Sequence, residues 1–444
     1  MIERNDYLKQ LLSWKDQSII KVLTGIRHCG KSTILKLYQE YLLNNEINPS
    51  QIVSIDFEKL EHENLQDYKK IYQYIKDRLV DNKMMYIFLD EIQNVPSYEK
   101  VVDSLYLKEN TDIYVAKSTA HMVSKQLVTS LNNQYIEIPI LPLSFKEVYN
   151  PQTDKEEAFQ KYMKTGGFPY INQIQLQNEQ IDMYLEGIYN TVIVKDIEER
   201  INRKNSKNVT DIALLKAISK YLSSVVGSPV SIRSITNYFK SNERKTSPNT
   251  ISNYIEALCE SYLYYPVEVM DISGKEVLKS NKKYYIVDPG IRNYILPKQF
   301  YDLGFTIENI VYLELLRRRY NVNIGRSGRT EVDFIAKRND VYTYIQVTAS
   351  LVDENTFNRE IRPLKQIEDN YEKVIERYLR GDASREEVIS AGEKLKEDAA
   401  LLNVAPDKGI IAELNKEAEI LKSEFAAMAA EIKKTEKKGK ETVN

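Results

Sequence analysis

Cysteine and long apolar runs are both scarce in this sequence. Its 444 residues include two cysteines, Cys29 and Cys259, so no framework of disulfide bonds is expected to hold the fold together. No apolar run approaches the length of a membrane-spanning helix, and residues 1–6 lack the pattern of a signal peptide. We therefore expect a cytoplasmic protein without a membrane partner, in which the Cys29 thiol stays reduced.

An excess of charge of either sign is also missing. The 62 lysines and arginines nearly balance the 64 aspartates and glutamates, which leaves a net charge of −2. The molecule is therefore not a polycation, and any contact with nucleic acid would require a local basic patch. A chain of 444 residues is too long for one hydrophobic core, so about three or four domains are expected.

The strongest chemical signal is the stretch at residues 23–33, which reads LTGIRHCGKST. It fits the pattern G-x-x-x-x-G-K-[ST], and it lies between an apolar run at 19–23 and an amphipathic stretch at 32–43. A strand, a loop and a helix in this order are the arrangement that a phosphate-binding loop requires. The glycines let successive N–H groups point at phosphate oxygens, and the helix N-terminus adds positive partial charge. The predicted binding residues are Gly25, Ile26, Arg27, His28, Cys29, Gly30, Lys31, Ser32 and Thr33.

This loop predicts ATP and Mg2+ as the cofactors. Lys31 would contact the β- and γ-phosphates, and the Ser32 hydroxyl would coordinate Mg2+. A second half of the site is predicted at residues 84–91, where an apolar run ends in Asp90 and Glu91. Asp90 can hold Mg2+ through water, and Glu91 can deprotonate the attacking water. A buried strand that ends in a solvated acidic turn would look the same, but the loop about 60 residues upstream favours the catalytic interpretation.

Two further strands complete the predicted site. The strand at 51–57 lies between the loop and the two acids in sequence, which is typical of the P-loop proteins that use a glutamate base. The strand at 112–116 then ends at Lys117, Ser118 and Thr119. In such sheets the tip of this strand carries a polar sensor beside the γ-phosphate, and Thr119 or Ser118 can serve. The predicted catalytic residues are Lys31, Glu91 and Thr119.

Five motifs taken together resemble one family. They are residues 24–33 (TGIRHCGKST), 89–93 (LDEIQ), 141–145 (LPLSF), 166–169 (GGFP) and 331–334 (EVDF). They resemble the prokaryotic AAA-type P-loop ATPases with a restriction-endonuclease-like C-terminal domain of unknown function, and the resemblance covers about residues 1–371. It implies an α/β fold, in which a P-loop parallel sheet is followed by a helical lid, a winged helix and a small nuclease-like domain. Beyond the resemblance, the sequence itself predicts a helical tail. The expected domains are 1–150, 151–205, 206–300, 301–372 and 373–444, in that order.

The chain departs from this family at two places that affect hydrolysis. Lys117, Ser118 and Thr119 stand where such proteins usually carry Gly-Ser-Asn, and residues 132–134 (NNQ) stand where they carry Ser-Gly-Arg. Gln134 cannot supply the positive charge of an arginine finger to a transferring phosphoryl group. We therefore expect slow, Mg2+-dependent ATP hydrolysis that repositions the C-terminal domains. One alternative is a nucleotide-gated binding module or scaffold with little hydrolysis, and another is a DNA-binding regulator that acts through the winged helix.

Residues 211–300 predict the winged helix, because helix, helix, helix, strand and strand follow one another. The candidate recognition helix at 250–258 contains no lysine or arginine, although DNA-binding proteins normally place cations there. Lysines at 275, 279, 282 and 283 lie on the predicted wing and could touch phosphates. The pattern therefore leaves open both DNA as a partner and a structural or protein-binding role.

The last third of the chain gives weaker indications of function. Glu308 and Asp333 match the helix acid and the aspartate of a restriction-endonuclease core. In the (D/E)-x-K motif that should follow, Gln346 replaces the metal-binding carboxylate and Thr348 replaces the lysine, so no nuclease activity is expected. In the predicted tail, apolar residues recur at spacings of three and four between Ile411 and Ile432. This spacing predicts tail helices that would pack on the preceding domains, on each other, on a second copy of the chain or on another protein.

Overall fold

A computed structural model describes residues 2–118, 135–173, 177–198, 211–278, 281–296, 302–328, 330–348, 354–367 and 371–377. They lie in one compact unit, residues 1–380, and residues 381–444 form a second unit that is outside the described residues. Thr119, Gln134 and the predicted tail helices therefore lie outside the part of the chain that the structure describes. Where the chain is described, no helix combines the length and the apolar content that a membrane crossing requires.

The N-terminal part is built on a five-stranded parallel sheet. Its strand order is β2-β3-β4-β1-β5. The strands are β1 (Ile20–Thr24), β2 (Ile52–Asp56), β3 (Met85–Asp90), β4 (Thr111–Lys117) and β5 (Tyr135–Pro139). Every residue of β1 and β3 is buried, as expected for parallel strands with helices on both faces. In this order, β4 lies between β1, which leads into the phosphate loop, and β3, which ends in Asp90.

Helices cover both faces of this sheet. They are α1 (Asn5–Ser13), α2 (Lys31–Asn44), α3 (Tyr68–Lys76) and α4 (Glu99–Tyr106), and a short helix α5 (Phe145–Val148) follows β5. Neighbouring strand residues point to opposite faces, so Leu23 and Tyr114 belong to one apolar core while Val22 and Val115 belong to the other.

The sequence from about 62 to 81 predicts one helix, but the helix in the structure is shorter. A 3-10 turn covers Leu60–Leu65, and α3 begins only at Tyr68. The cause is Asp67, whose side chain accepts hydrogen bonds from the backbone N–H groups of Lys69 and Lys70. This cap starts a new helix and interrupts the apolar periodicity that suggested a single long one.

The segment predicted as a lid is helical. It contains α6 (Lys155–Thr165), α7 (Pro169–Gln173) and α8 (Asn178–Asn190), and a π-helix (Thr191–Glu198) continues α8. The sequence predicted one regular helix over 185–200, whereas the helical hydrogen bonding changes at Thr191. The sharp break predicted at residues 166–169 is present, because α6 ends at Thr165 and Gly166 has a φ of +77°.

The next segment has the predicted order of three helices and two strands. Its elements are α9 (Ile212–Ser224), α10 (Ile232–Ser241), α11 (Pro248–Glu260), β6 (Tyr264–Val267) and β8 (Lys283–Ile286). Each helix begins after a residue whose side chain caps its N-terminus, namely Asp211, Ser231 and Ser247. β6 and β8 form an antiparallel pair.

A second five-stranded sheet, of order β12-β11-β10-β9-β7, forms the C-terminal part. Its strands are β7 (Val269–Asp271), β9 (Asn321–Ser327), β10 (Thr330–Arg338), β11 (Val341–Thr348) and β12 (Glu372–Arg377), and the nearby helices are α12 (Pro289–Ile295), α13 (Leu303–Arg317) and α14 (Glu354–Lys365). Two strands cross the boundaries that we expected. β7 comes from the segment predicted as the winged helix, and β12 extends beyond residue 372 and pairs in parallel with β11.

Candidate nucleotide-binding site

The phosphate loop, residues 25–33, lies at the C-terminal edge of the parallel sheet. Gly25 and Gly30 have φ angles of +146° and +105°, a backbone region that suits glycine. A Cβ atom on Gly25 would lie 2.1 Å from the carbonyl oxygen of Ile140, just after β5. The loop therefore needs glycine at this position for its curvature and for its close approach to the neighbouring backbone.

Arg4, which precedes α1, fixes the loop from outside. Its Nη1 donates to the carbonyl oxygen of Cys29 at 3.0 Å, and its Nη2 donates to that of Leu141 at 3.0 Å. Its Nε donates to Glu147 Oε1 at 2.7 Å. The Arg4 residue is only 4% exposed, so these charge-assisted bonds replace its hydration. One arginine therefore joins the loop to the segment that follows β5.

Lys31 lies on the inner side of the loop. Its Nζ donates to the carbonyl oxygens of Gly25 and Ile26, both at 3.1 Å, and to the Ser118 hydroxyl at 2.9 Å. The same Nζ is 3.7 Å from Glu91 Oε1. The cation that we predicted to contact phosphates is thus positioned by the loop backbone and by the tip of β4.

Ser32 and Asp90 lie together, as a magnesium site requires. Burial raises the pKa of Asp90 to about 6, and the nearby Ser32 hydroxyl opposes this rise by favouring the ionised carboxylate. A hydroxyl and a carboxylate are hard oxygen ligands of the kind that Mg2+ prefers, so the residues present fit this ion.

Glu91 has an unusual backbone conformation for its residue type. Its φ is +51°, in the left-handed region, and such strain often occurs at functional sites. Its carboxylate accepts from the Ser118 hydroxyl, at 2.7 Å to Oε1 and 3.0 Å to Oε2, and from the Gln93 amide. The conformation directs the side chain of this residue towards the loop instead of continuing β3.

The structure therefore brings together most of the residues predicted for the site. Lys31, Ser32, Asp90 and Glu91 meet at one edge of the sheet, and the Ser118 hydroxyl lies between Lys31 and Glu91. Of the loop residues, His28 is exposed and Cys29 is buried with a free thiol. The sequence analysis gave no role to four residues at or next to this site: Arg4, Glu58, Gln93 and Glu147. Gln93 ends the motif at 89–93, but the motif alone does not show that its amide binds Glu91.

Family and sequence comparisons agree with this geometry. Residues 17–149 match the model of an AAA domain, and residues 156–301 match a domain of unknown function, DUF8612. A protein of Haemophilus influenzae, described as uncharacterized, is 36% identical over 382 residues, which is 84% of this chain and 93% of that protein. This chain belongs to the AAA domain family. It is a P-loop protein of the nucleotide-binding AAA type.

Other similarities of this AAA protein are weaker. An uncharacterized protein of Methanocaldococcus jannaschii is 29% identical over 336 residues, 71% of each chain. The Walker-type ATPase PABY2304 of Pyrococcus abyssi is 13% identical, with a TM-score of 0.46, over 66% of this chain and 96% of that one. The ORC1 protein of Aeropyrum pernix, solved with DNA, is 11% identical, with a TM-score of 0.29, over 66% and 92%. We draw no conclusion from structural scores this low.

A second cluster of acids lies in the C-terminal sheet. Glu308 Oε1 accepts from the Tyr285 hydroxyl at 2.6 Å and from Lys283 Nζ at 3.2 Å, and Lys283 also pairs with Glu331 at 2.8 Å. Burial and the nearby Glu308 raise the pKa of Asp333 to about 7. In the described ranges no group of three or more His, Cys, Asp or Glu side chains could hold a metal ion.

This cluster corrects one expectation from the sequence. We expected Lys283 to lie on a wing and touch phosphates, but it is 2% exposed because Glu308 and Glu331 bind it inside the protein. Gln346, in the place of a second carboxylate, accepts from the backbone N–H of Asp333 at 3.4 Å. The family matches end at residue 301, so the nuclease-like assignment of the segment that follows stays a prediction.

Proposed function

We propose that this AAA protein is a cytoplasmic enzyme that binds ATP with Mg2+ at the phosphate loop and hydrolyses it slowly. The observation that carries the proposal is the meeting of Lys31, Ser32, Asp90 and Glu91 at one edge of a parallel sheet. Lys31 would serve phosphate binding, Ser32 and Asp90 metal binding, and Glu91 water activation. Their association would be hard to explain by the stability of the fold alone.

The binding roles follow from the geometry of the loop. The backbone N–H groups of the phosphate loop and the N-terminus of α2 would hold phosphate oxygens, and Lys31 would exchange its bonds to Gly25 and Ile26 for them. Ser32 and Asp90 would hold Mg2+, which would neutralise charge on the phosphates. Asp90 must be ionised for this role, and its pKa of about 6 leaves it ionised at neutral pH.

The hydrolytic role belongs to Glu91. Its carboxylate would orient the attacking water and accept its proton. Ser118 holds both oxygens of this carboxylate and also contacts Lys31, so the tip of β4 links the base to the phosphate-binding cation. Thr119, the next residue, was predicted as the polar sensor, and that role stays part of the proposal.

We further propose that nucleotide binding repositions the C-terminal domains. Arg317 of α13 donates to the carbonyl oxygen of Pro142 at 3.0 Å, and its Nη1 is 3.7 Å from Glu147 Oε2. Glu147 binds Arg4, which in turn binds the carbonyl oxygen of Cys29 in the phosphate loop. A change of loop conformation can therefore reach α13 through a short series of ion pairs and hydrogen bonds.

The test is to measure ATP binding and turnover together, with and without Mg2+. Lys31→Ala should lose ATP binding, whereas Glu91→Gln should bind ATP and lose turnover. Lys36→Ala, which removes an exposed cation from the same helix, and Glu63→Gln, which neutralises an exposed acid, are the matched controls and should leave both unchanged. If the wild-type protein binds ATP but does not hydrolyse it, the alternative of a nucleotide-gated binding module replaces the enzyme.

A specific observation also favours DNA as a second partner. A cavity of about 390 Å3 lies at the turn between α10 and α11, lined by Lys240, Glu243, Arg244, Lys245 and Thr246. Three of these five residues are cations, beside the N-terminus of the helix that we predicted to be the recognition helix.

The test of DNA binding is a titration of a duplex at two salt concentrations. A double charge reversal, Lys240→Glu with Lys245→Glu, should weaken binding and flatten its salt dependence. The control is Lys36→Glu, at an exposed lysine of α2 outside the segment predicted as the winged helix. Binding that is absent, or unchanged in the double variant, would exclude DNA contact at this turn.

A further inference from the structure

Arg27, inside the phosphate loop, contacts the acids of the site. It is 8% exposed, and its Nη1 donates to Glu58, which follows β2. The same Nη1 is 3.9 Å from Glu91 Oε2. Glu91 therefore has two cations within 4 Å that both come from the loop, because Lys31 Nζ is 3.7 Å from its other oxygen.

The surroundings of Arg27 differ from those of a structural ion pair. Glu58 is 37% exposed, so one partner of the arginine lies at the open side of the loop. The other partner, Glu91, is the side chain that would orient the attacking water. A guanidinium that reaches both has the length and the position to reach the outermost phosphate group of a nucleotide held by the same loop.

A cation is needed at this place for the reaction. Negative charge spreads over the oxygens of the transferring phosphoryl group, and an arginine that stabilises it commonly accelerates the reaction by about 1,000-fold or more. By resemblance to the AAA-type family, the arginine that could serve a neighbouring site stands where this chain has Gln134. The chain therefore has an arginine within its own loop and a neutral residue at the usual position.

We infer that Arg27 supplies this cation to the active site of its own chain, an inference that rests on the proposed ATPase function. In the step concerned, the water oxygen bonds to the γ-phosphorus, and the bond from that phosphorus to the oxygen of ADP breaks. The water proton passes to Glu91, and the products are ADP and phosphate. Arg27 stays protonated throughout and exchanges Glu58 for the phosphoryl oxygens.

The first experiment separates binding from turnover in three variants. Arg27→Ala should lower kcat by about 100-fold or more, while the Kd for ATP changes by less than about tenfold. Arg27→Lys keeps the charge without the forked geometry and should lose less. Glu58→Gln keeps Arg27 and removes only one of its partners, so it should lower kcat far less than Arg27→Ala does. ADP with aluminium fluoride, a mimic of the transferring group, should bind Arg27→Ala about 100-fold more weakly than it binds the wild type, which a purely structural role would not produce.

The second experiment asks whose active site Arg27 serves. Arg27→Ala is mixed with Lys31→Ala, which cannot bind ATP but keeps its own Arg27. An arginine that acts within its own chain predicts that the mixture hydrolyses no more ATP than the two variants do separately. Recovery of turnover in the mixture would show that Arg27 acts on a neighbouring site and would overturn the inference.

The role of Arg27 and the proposed ATPase activity can fail separately. Wild-type turnover that Arg27→Ala leaves unchanged overturns the inference but keeps the proposed ATPase. If the wild type shows no turnover, both are wrong. Thermal unfolding of each variant is recorded in parallel, and Arg27→Lys provides the decisive comparison should Arg27→Ala fail to fold.

Discussion

The Ser118 hydroxyl donates to the Glu91 carboxylate at 2.7 Å and accepts a hydrogen bond from Lys31 Nζ at 2.9 Å. One buried serine at the tip of β4 thus joins the predicted base at the end of β3 to the cation that follows β1. Since β4 lies between those two strands in the sheet, this contact depends on the strand order.

Removing this hydroxyl should separate hydrolysis from binding. Ser118→Ala leaves Glu91 without the donor that fixes both of its oxygens, so we expect kcat to fall by about tenfold to 100-fold. The loop still holds the phosphates, so the Kd for ATP should stay within about threefold. Steady-state turnover and ATP titration measure the two effects. Ser104→Ala, at an exposed serine of α4, is the control, and equal effects of the two variants would contradict the positioning role.

Arg4 should contribute strongly to the stability of the N-terminal part. Arg4→Met leaves the carbonyl oxygens of Cys29 and Leu141 without this donor and removes the closer cation from Glu147, so we expect the free energy of unfolding to fall by about 3–5 kcal/mol. ATP affinity should fall as well, because the loop loses its support. Urea unfolding and ATP titration measure these effects.

The matched control for Arg4 is Arg318→Met. Arg318 is 65% exposed and pairs with Glu314 at 2.8 Å, and surface pairs of this kind contribute at most about 1 kcal/mol. If the two methionine variants unfolded at the same urea concentration, Arg4 would not be a buried support of the loop.

Two glycines in the helical segment at 151–205 allow a direct comparison. A Cβ on Gly166, whose φ is +77°, would lie 1.9 Å from Asp288 Oδ1, so Gly166→Ala should destabilise the protein by about 3 kcal/mol or more. Gly187, on the exposed side of α8, has nothing within 4 Å of such an atom. Gly187→Ala should therefore stabilise the protein by about 0.5–1 kcal/mol. Thermal melting distinguishes the two, and a stable Gly166→Ala would show that the turn is not held by Asp288.

The parts of the site that the sequence predicted are those that short motifs encode. Gly25, Lys31 and Ser32 belong to one pattern of eight residues, and Asp90 and Glu91 end one apolar strand. In each case the preceding strand fixes where the side chain lies, so the spacing of residues along the chain was sufficient to predict these site residues. The distance between the two motifs could not be read from the sequence. It depends on the parallel sheet that places both strand ends at the same edge.

The supporting residues depend on contacts between distant parts of the chain. Arg4 is 25 positions from Cys29 and 143 from Glu147, and nothing local to Arg4 indicates either partner. The predicted winged-helix order places Lys283 at the wing between the two strands, whereas in the structure it is buried between acids from two other elements. A sequence shows where charges occur, but only the packing of the elements shows which charges are neutralised inside the protein.

Lys117, at the end of β4, should make stability depend on pH. It is fully buried, and its Nζ contacts the Tyr98 hydroxyl at 3.4 Å. Burial lowers the pKa of Lys117 to about 7 from 10.5. Between these two values the unfolded chain keeps a proton that the folded protein has lost. Raising the pH through this window therefore favours the folded state, by at most about 1.4 kcal/mol for each pH unit.

Replacing this lysine should remove that dependence. Lys117→Met keeps the length and the apolar part of the side chain, so we expect it to be more stable than the wild type at pH 7, with an advantage that shrinks by about 2 kcal/mol at pH 9. Other titrating groups are common to both proteins, so the difference between their free energies of unfolding in urea isolates the contribution of Lys117. Lys36→Met, at an exposed position of α2, should show no such change. An advantage of Lys117→Met that stays constant from pH 7 to pH 9 would mean that Lys117 keeps its proton in the folded protein, and therefore that a partner of opposite charge compensates its burial.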